Sequence, residues 1–250
     1  MDILDSILKW LPAAAIGLVV LALLVVLALL SLTFLVALLE KQHVETYTPL
    51  LPGDRLDANP YYVVMNQLAA QSGYLPCGEY RANRNGLLSK ALVSLWLAPD
   101  GRTVGVVGGG KVAGTRYRKT RLITRLRDGT TLVTIDDHGV TDLSETSDTK
   151  VWLRADFVEL VRVHETRIRT RNEFIEPFRR ENLVQQMNQM EEERVQRIVS
   201  LGRGRYSDMG QTSWRHTIPG AFGAAFGGFL RGIQTAEDQS DRQKLSRPGG

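Results

Sequence analysis

Only one cysteine, Cys77, occurs among the 250 residues, so the chain cannot form an intramolecular disulfide framework. It also lacks an Asn-x-Ser/Thr glycosylation acceptor, a Gly-x-Ser-x-Gly nucleophile motif and any internal repeat. A lone cysteine with no histidine beside it in the sequence usually behaves as a small buried apolar residue. These absences exclude a disulfide-stapled secreted module, and we predict no catalytic residue.

Charge is missing from Trp10 to Leu39, where 26 of the 30 residues are apolar. A helix over this run would reach roughly 45 Å, and the hydrocarbon core of a bilayer is about 30 Å thick. A cleaved signal peptide has a shorter apolar core behind a basic start, whereas here Asp2 and Asp5 precede the apolar run and Lys9 is the one basic residue before it. We therefore predict an N-terminal tail over residues 1–10 and one transmembrane helix over residues 11–39.

The basic residues that flank the apolar run indicate its orientation. Lys9 lies on the N-terminal side, while Lys41 and Arg55 lie within twenty residues of the C-terminal end. From residue 41 onward the chain carries 30 basic against 24 acidic residues. By the positive-inside rule, we expect a single-pass membrane protein whose C-terminal domain is cytoplasmic.

The pattern after this run predicts an α+β fold, in which a small, mostly antiparallel sheet has flanking helices and a C-terminal helical extension. Asn59-Pro60 is typical of a helix start and Gly73 of a helix end, which predicts a short helix between them. Alternating apolar residues and turn sequences such as Asp128-Gly129 predict strands. The strands are expected over residues 74–81, 91–97, 103–107, 115–126 and 130–135. Because residues 115–126 have one charged face, we expect water on that side of the sheet.

From Ala155 the apolar residues recur at the spacing of a helix. His164 lies on the apolar face of this predicted helix with Phe157 and Leu160. We interpret His164 as a core histidine. A second helix follows and ends before Gly202, and it packs either on a partner helix or on its own domain. These features predict a linker over residues 40–58, an α+β domain over 59–170 and a charged helical extension over 171–202.

The segment 203–236 is rich in glycine and aromatic residues, and the polar residues 237–250 are typical of a disordered tail. Phe222, Phe226 and Phe229 lie on one helical face, but the uncharged stretch around them has 14 residues and is too short to span a bilayer. One interpretation is an interfacial helix with the phenylalanines in the headgroup region. The other is a flexible tail, because glycine disfavours a helix by about 1 kcal/mol per residue.

A glycine-rich stretch, Gly108-x-Gly110-x-x-Ala113, follows an apolar run and matches the dinucleotide-binding pattern, in which Asp136 would hold the ribose. With Lys111 the same stretch approaches a phosphate-binding loop, although a valine stands where serine or threonine would hold Mg²⁺. Both motifs need a helix after the glycines, whereas the residues that follow alternate like a strand. The simpler interpretation is a glycine-rich bend between two strands.

Basic residues cluster between Lys111 and Arg127, and acidic residues between Asp136 and Asp148. Either the two elements neutralise each other across the sheet, or the basic residues form a face for anionic lipid. The second interpretation gives as lipid- or partner-facing residues Lys119, Arg121 and Arg125, together with Phe222, Phe226 and Phe229. The acidic run does not have calcium-loop spacing, and we predict no metal site.

Several short strings within residues 59–168 together resemble uncharacterised single-pass bacterial membrane proteins. They are Asn59-Pro60-Tyr61 with Met65-Asn66, Leu97-Ala98-Pro99-Asp100, Val107–Gly114, Thr134-Ile135-Asp136-Asp137, Asp142-Leu143-Ser144 and Phe157-x-Glu159-Leu160 with His164. The resemblance implies a location in the bacterial inner membrane, and it assigns neither an activity nor a catalytic residue.

These observations lead us to expect a membrane-anchored, non-enzymatic interaction module without a cofactor. Its partners would be membrane lipid and a protein, and not nucleic acid. The alternative is a nucleotide- or dinucleotide-binding enzyme or sensor built on Gly108–Ala113. The two hypotheses differ over Thr115–Leu126, which is a strand in the first and a helix in the second.

Overall fold

The computed structural model describes residues 2–51, 60–83, 90–112, 115–136, 147–152, 154–171 and 175–227. Most of the predicted acidic run and the predicted tail over residues 237–250 lie outside these ranges. The described residues have the predicted α+β fold, with an apolar N-terminal helix, antiparallel-rich sheets and flanking helices.

The first helix, α1, covers Asp2–Leu39. Its segment Ala15–Leu39 is long and apolar enough to cross a membrane, and an 18-residue stretch of it has a mean hydropathy of 3.1 and is not buried by the rest of the chain. The two hydroxyl groups in this segment bond back to the helix: Ser31 donates to the Leu27 carbonyl and Thr33 to the Leu29 carbonyl, both at 2.8 Å. The outer surface of the helix is therefore apolar along its whole C-terminal half.

Two sheets follow α1. Their strands are β1 Gln42–His43, β2 Thr46–Pro49, β3 Leu75–Asn83, β4 Lys90–Leu97, β5 Val104–Val112, β6 Thr115–Leu126, β7 Thr131–Ile135, β8 Ser147–Val151, β9 Ile175–Glu176, β10 Gly204–Tyr206 and β11 Ser213–His216. The large sheet has the order β2-β3-β4-β5-β6-β7-β8, with β9 also paired to β6, and the small sheet has the order β1-β11-β10. β8 runs parallel to β7, and the other described pairings are antiparallel.

One face of the large sheet is covered by two amphipathic helices, α2 over Pro60–Gln71 and α3 over Phe157–Arg171. Both helices were predicted from the sequence. Met65 of α2 and Phe157 of α3 are buried with Leu122 of β6 in one apolar cluster. His164 is 1% exposed on the buried side of α3, which confirms its interpretation as a core histidine.

The other face of the large sheet is covered by α4, which spans Leu183–Ser200 after a short 3₁₀ turn at Arg180–Asn182. Leu183 and Met187 of α4 are buried against the apolar side chains of the central strands, Leu95 among them. The expected charged extension is therefore a helix packed on its own domain. The sequence pattern predicted that this face of the sheet is open to water. That prediction is wrong, because α4 covers the face.

A third apolar cluster joins the end of α1 to the domain. It contains Ala37 of α1, Val195 and Ile198 of α4, and Trp214 of β11. The last described helix, α5, covers Ile218–Gly227 and belongs to the same cluster. The end of the apolar helix, the small sheet and α5 thus form one packed unit, and the candidate site lies there.

Candidate membrane-facing surface

The start of α5 is fixed by the chain around Thr217. The Thr217 hydroxyl accepts a hydrogen bond from the Gly220 N–H at 3.3 Å, which is the geometry of a helix N-cap, and Pro219 occupies the first turn, where proline is tolerated. The Thr217 N–H donates to the Arg203 carbonyl at 3.0 Å, and its hydroxyl donates to the Gly202 carbonyl at 2.6 Å. The helix is therefore tied at its first turn to the loop that follows α4.

Gly220 allows the backbone of α5 to approach the backbone at Arg203 closely. A Cβ atom at position 220 would lie 1.8 Å from the Arg203 carbonyl oxygen, so no larger residue fits without movement of the backbone. The next turn of α5 places Ala221 and Ala224, which are 0% and 3% exposed, against Ala37 at the end of α1. Small side chains at these positions permit close contact between the two helices.

The opposite face of α5 is apolar and exposed. Ile218, Phe222 and Phe226 follow one another at four-residue spacing, and 66%, 64% and 46% of each side chain is exposed. The two phenylalanine rings stack, with centroids 6.1 Å apart. Phe229, which was predicted to share this face, lies outside the described residues. An exposed apolar stripe on a short helix beside a membrane-length helix is typical of an interfacial segment.

The glycine-rich stretch has a different environment from the one a dinucleotide motif requires. Gly108, Gly110 and Lys111 all lie within β5, and Thr115–Leu126 is the antiparallel partner strand β6. Gly108 is buried, and a Cβ there would approach the Val93 side chain to 3.2 Å. The helix N-terminus that would bind a pyrophosphate is therefore not present after these glycines. Ala113 lies outside the described residues.

Asp136 does not lie beside the glycines, and its carboxylate is held by hydrogen bonds within the domain. It follows β7, two strands away from β5 in the sheet order. Its carboxylate accepts hydrogen bonds from the Tyr61 hydroxyl and from the Thr120 N–H, the latter at 2.7 Å. Burial, followed by the negative charge of Asp136, raises the pKa of Tyr61 well above its usual value. These contacts join α2 to the sheet.

Three basic residues of β6, Lys119, Arg121 and Arg125, lie on the side of the sheet that α4 covers. Lys119 is 6% exposed. The Arg125 guanidinium pairs with Glu193 of α4 at 2.8 Å and with Glu176 at 3.0 Å. Arg121 pairs with Glu45, and the two side chains are 16% and 11% exposed. Lys119, Arg121 and Arg125 are therefore largely buried and do not form an open basic face, and their predicted contact with lipid or a partner stays a prediction.

A polar cavity of about 100 Å³ lies where this face of the sheet meets α4 and the small sheet. Its charged lining consists of Lys119, Arg121, Arg194, Glu45 and Glu191. Arg194 pairs with Glu191 through two contacts of 2.7 and 2.8 Å. The buried Tyr47 hydroxyl donates to Glu45 at 2.8 Å, and burial raises the pKa of Tyr47 far above its ordinary value.

Trp214 and His216 of β11 also line this cavity, and their rings meet edge to face with centroids 4.7 Å apart. They are 4% and 3% exposed, and neither Trp214 Nε1 nor His216 Nδ1 has a hydrogen-bond partner among the described residues. An unpaired buried polar group costs about 1–3 kcal/mol. Burial lowers the pKa of His216, and the positive charge of Arg194 lowers it further.

An apolar groove of about 460 Å³ runs between α1 and α5 on the outer side of the same unit. Its apolar walls are residues of α1 between Val26 and Ala37 and two alanines of α5, Ala224 and Ala225. Gln42 and His216 line both the groove and the polar cavity, so the two spaces share a wall.

Sequence reasoning did not identify Glu45, Trp214 or His216 as site residues. Three of the four residues of the strand Ser213–His216 are buried, so the strand has no two-residue alternation that could have marked it in the sequence. Nothing local indicated that this strand lies beside residues 42–43, with which it pairs. Burial raises the pKa of the Cys77 thiol, which favours the thiol over the more reactive thiolate.

No protein-family model matches the chain, and neither do curated proteins or solved structures show significant similarity to it. Any function must therefore be inferred from the geometry of these residues.

Proposed function

We propose that the chain is a membrane-anchored, non-enzymatic interaction module whose domain is held against the bilayer surface by α5. The observation that carries this proposal is the exposed stripe of Ile218, Phe222 and Phe226 on a helix that packs against the end of α1. In this proposal α1 spans the bacterial inner membrane once and the domain is cytoplasmic. Membrane lipid is one partner, and a protein of unknown identity is a second.

The dimensions of α1 support an interfacial position for α5. Ala15–Leu39 has 25 residues and would be about 37 Å long, slightly longer than the bilayer core. The α1 residues that share an apolar cluster with α5, including Phe34 and Ala37, lie in the last roughly 8 Å of that length. Interfacial helices insert their apolar face by about 5–10 Å, which matches this level.

The energy that such contact requires is small, because α1 already holds the domain at the membrane. Full burial of a phenylalanine contributes about 1.5–3 kcal/mol, so burial of the exposed parts of Phe222 and Phe226 contributes roughly 2–3 kcal/mol together. A tether raises the effective concentration of the second contact, and a weak surface interaction is then sufficient to orient the domain.

Photo-crosslinking in native membranes tests this proposal. In separate variants, p-benzoylphenylalanine replaces Phe222, Phe226 or, as a matched control, Val158. Val158 is 49% exposed on α3, which lies across the large sheet from α4. We expect lipid adducts at positions 222 and 226 and none at 158. Equal labelling at 158, or only protein adducts at positions 222 and 226, would contradict the proposal.

A further inference from the structure

Two arginines lie side by side on one face of the small sheet. The register of its strands pairs Arg205 of β10 with Arg215 of β11. Residues directly opposite each other in an antiparallel pair present their side chains on the same face, with Cα atoms about 4.5–5.5 Å apart. The neighbouring residues Gly204 and Trp214 lie on the other face, against Ile198 of α4. The two arginines are therefore on the face of the small sheet that is turned away from α4.

This arginine pair has no counter-charge within the part of the chain that the structure describes. Arg205 is exposed and Arg215 half-buried, and neither guanidinium forms a hydrogen bond or an ion pair with another described residue. The one acidic residue of the hairpin over residues 204–216 is Asp208. Its carboxylate accepts a hydrogen bond from the Thr212 N–H at 2.9 Å and interacts electrostatically with Lys41. Like charges directly opposite each other destabilise a sheet, so the pair is suited to an anion from outside the domain.

The arginine pair lies close to the end of the apolar helix. Gln42 of β1 pairs with Trp214, so the preceding residue, Lys41, lies beside Arg215. Lys41 comes two residues after Leu39, the end of the apolar segment, which is a distance of at most about 7 Å. The headgroup layer on each side of a bilayer core is about 5–8 Å thick. With α1 in a bilayer, Arg215 would therefore lie at the level of the lipid phosphates.

The exposed apolar stripe of α5 begins next to this pair. Ile218, the first residue of the stripe, follows Arg215 by three residues, which span about 10 Å at most. An interfacial segment binds a membrane through its apolar area and through attraction of its basic residues to anionic lipid. The planar guanidinium group is suited to the second role, because it donates two parallel hydrogen bonds to phosphate oxygens.

We propose that Arg205 and Arg215 together bind the phosphate groups of anionic phospholipids at the bilayer surface, beside the apolar stripe of α5. The proposal rests on the proposed function, because it requires α1 in a bilayer and α5 at its surface. An arginine near an anionic bilayer strengthens binding by about fivefold, so the pair gives a preference of roughly 25-fold for anionic over neutral lipid. A phosphate between the two guanidinium groups also removes their repulsion.

Native mass spectrometry of the full-length protein, released from nanodiscs, measures this preference. The discs contain equal amounts of phosphatidylglycerol and phosphatidylcholine with identical acyl chains. We expect the wild type to retain roughly 25-fold more phosphatidylglycerol than phosphatidylcholine, and Arg205→Gln with Arg215→Gln to retain nearly equal amounts of the two. Equal retention by the wild type, or an unchanged preference in the double variant, would overturn the proposal.

The matched control removes the same charge from the other side of the domain. Arg162 and Arg169 are exposed on α3, which covers the face of the large sheet opposite to α4. Arg162→Gln with Arg169→Gln is expected to keep the wild-type lipid preference. An equal loss of preference in this control would show an effect of net charge alone and overturn the proposal. So would loss from Arg205→Gln with Arg215→Gln of an acidic protein that copurifies with the wild type, if the lipid preference were kept.

Thermal unfolding of Arg215→Gln provides a second readout, which also reports whether the variant folds. Because this substitution removes a repulsion, we expect its Tm in phosphatidylcholine discs to equal or exceed that of the wild type. Phosphatidylglycerol discs are expected to raise the Tm of the wild type more than that of the variant. An equal lowering of the variant's Tm in both lipids would show that Arg215 stabilises the fold itself and would overturn the proposal.

Failure of this proposal can be distinguished from failure of the proposed function. Lipid crosslinks at Phe222 together with equal retention of the two lipids would overturn the arginine site alone. A lipid preference that depends on Arg205 and Arg215, without lipid crosslinks at Phe222, would instead overturn the position of α5 at the bilayer surface.

Discussion

We predict that the folded protein loses stability in mild acid because of the buried His164. Its two ring nitrogens lie 2.9 Å from the Thr124 hydroxyl and 2.8 Å from the Thr134 hydroxyl, and the side chain is 1% exposed. Burial lowers the pKa of His164 to about 3, and the positive charge of Arg167 acts in the same direction. The folded protein therefore keeps this ring neutral, with one nitrogen as donor and the other as acceptor.

The sign and size of the effect follow from the two pKa values. In the unfolded chain the pKa of a histidine is about 6.5, so the unfolded state takes up a proton as the pH falls below 6.5 and the folded state does not. The stabilisation from neutral His164 is complete above pH 6.5 and is lost progressively as the pH falls from there toward 3. Between pH 7.5 and pH 5.0, the loss is about 2 kcal/mol of unfolding free energy.

Urea unfolding of the full-length protein in detergent micelles, followed by tryptophan fluorescence, measures this loss. Other groups also titrate in this range, so the matched control is His164→Gln, which retains a polar side chain without the titration. We expect the variant to lose about 2 kcal/mol less than the wild type between pH 7.5 and pH 5.0. The same pH dependence in both proteins would refute the reasoning.

Two further predictions concern the packed unit around the cavity. Arg121→Met is expected to destabilise the domain by about 3–5 kcal/mol because it removes the positive charge beside the buried Glu45 carboxylate, and Arg121→Met with Glu45→Gln should recover most of this loss in the same urea assay. An additive loss in the double variant would show that the pair is not coupled. Gly220→Ala is expected to release α5, because its Cβ would lie 1.8 Å from the Arg203 carbonyl oxygen, and faster amide exchange in residues 218–227 would report this. The control Gly210→Ala meets no atom closer than 3.7 Å and should leave that exchange unchanged.

Local sequence patterns predicted much of the large sheet and its helices. The strand expected over residues 115–126 is β6, with the same bounds. The helix expected over residues 60–72 is α2, which ends one residue earlier, at Gln71. His164 was placed correctly because its spacing from Phe157 and Leu160 follows the helical period. These features depend on neighbours within a few residues, which the sequence records directly.

The parts that were missed depend on contacts between distant residues. β2 lies in the predicted linker, and the Tyr47 N–H bonds at 2.8 Å to the Asn188 side chain, 141 residues away. The strand β8 pairs with β7 in parallel, and its own sequence has little apolar character. The sequence predicted that α4 is an amphipathic helix, but it did not predict that this helix packs on the large sheet. The basic residues of β6 on that face were consequently expected to be exposed.

The depth of α5 in a bilayer tests the central claim most directly. A nitroxide label is attached to Phe222→Cys or to Val158→Cys in a Cys77→Ser background, and the full-length protein is reconstituted in lipid vesicles. Power saturation then compares collisions with oxygen, which concentrates in the bilayer, and with a water-soluble nickel chelate. We expect oxygen collisions to dominate at position 222 and chelate collisions to dominate at position 158. Chelate-dominated collisions at both positions would contradict the account, because α5 would then lie in water.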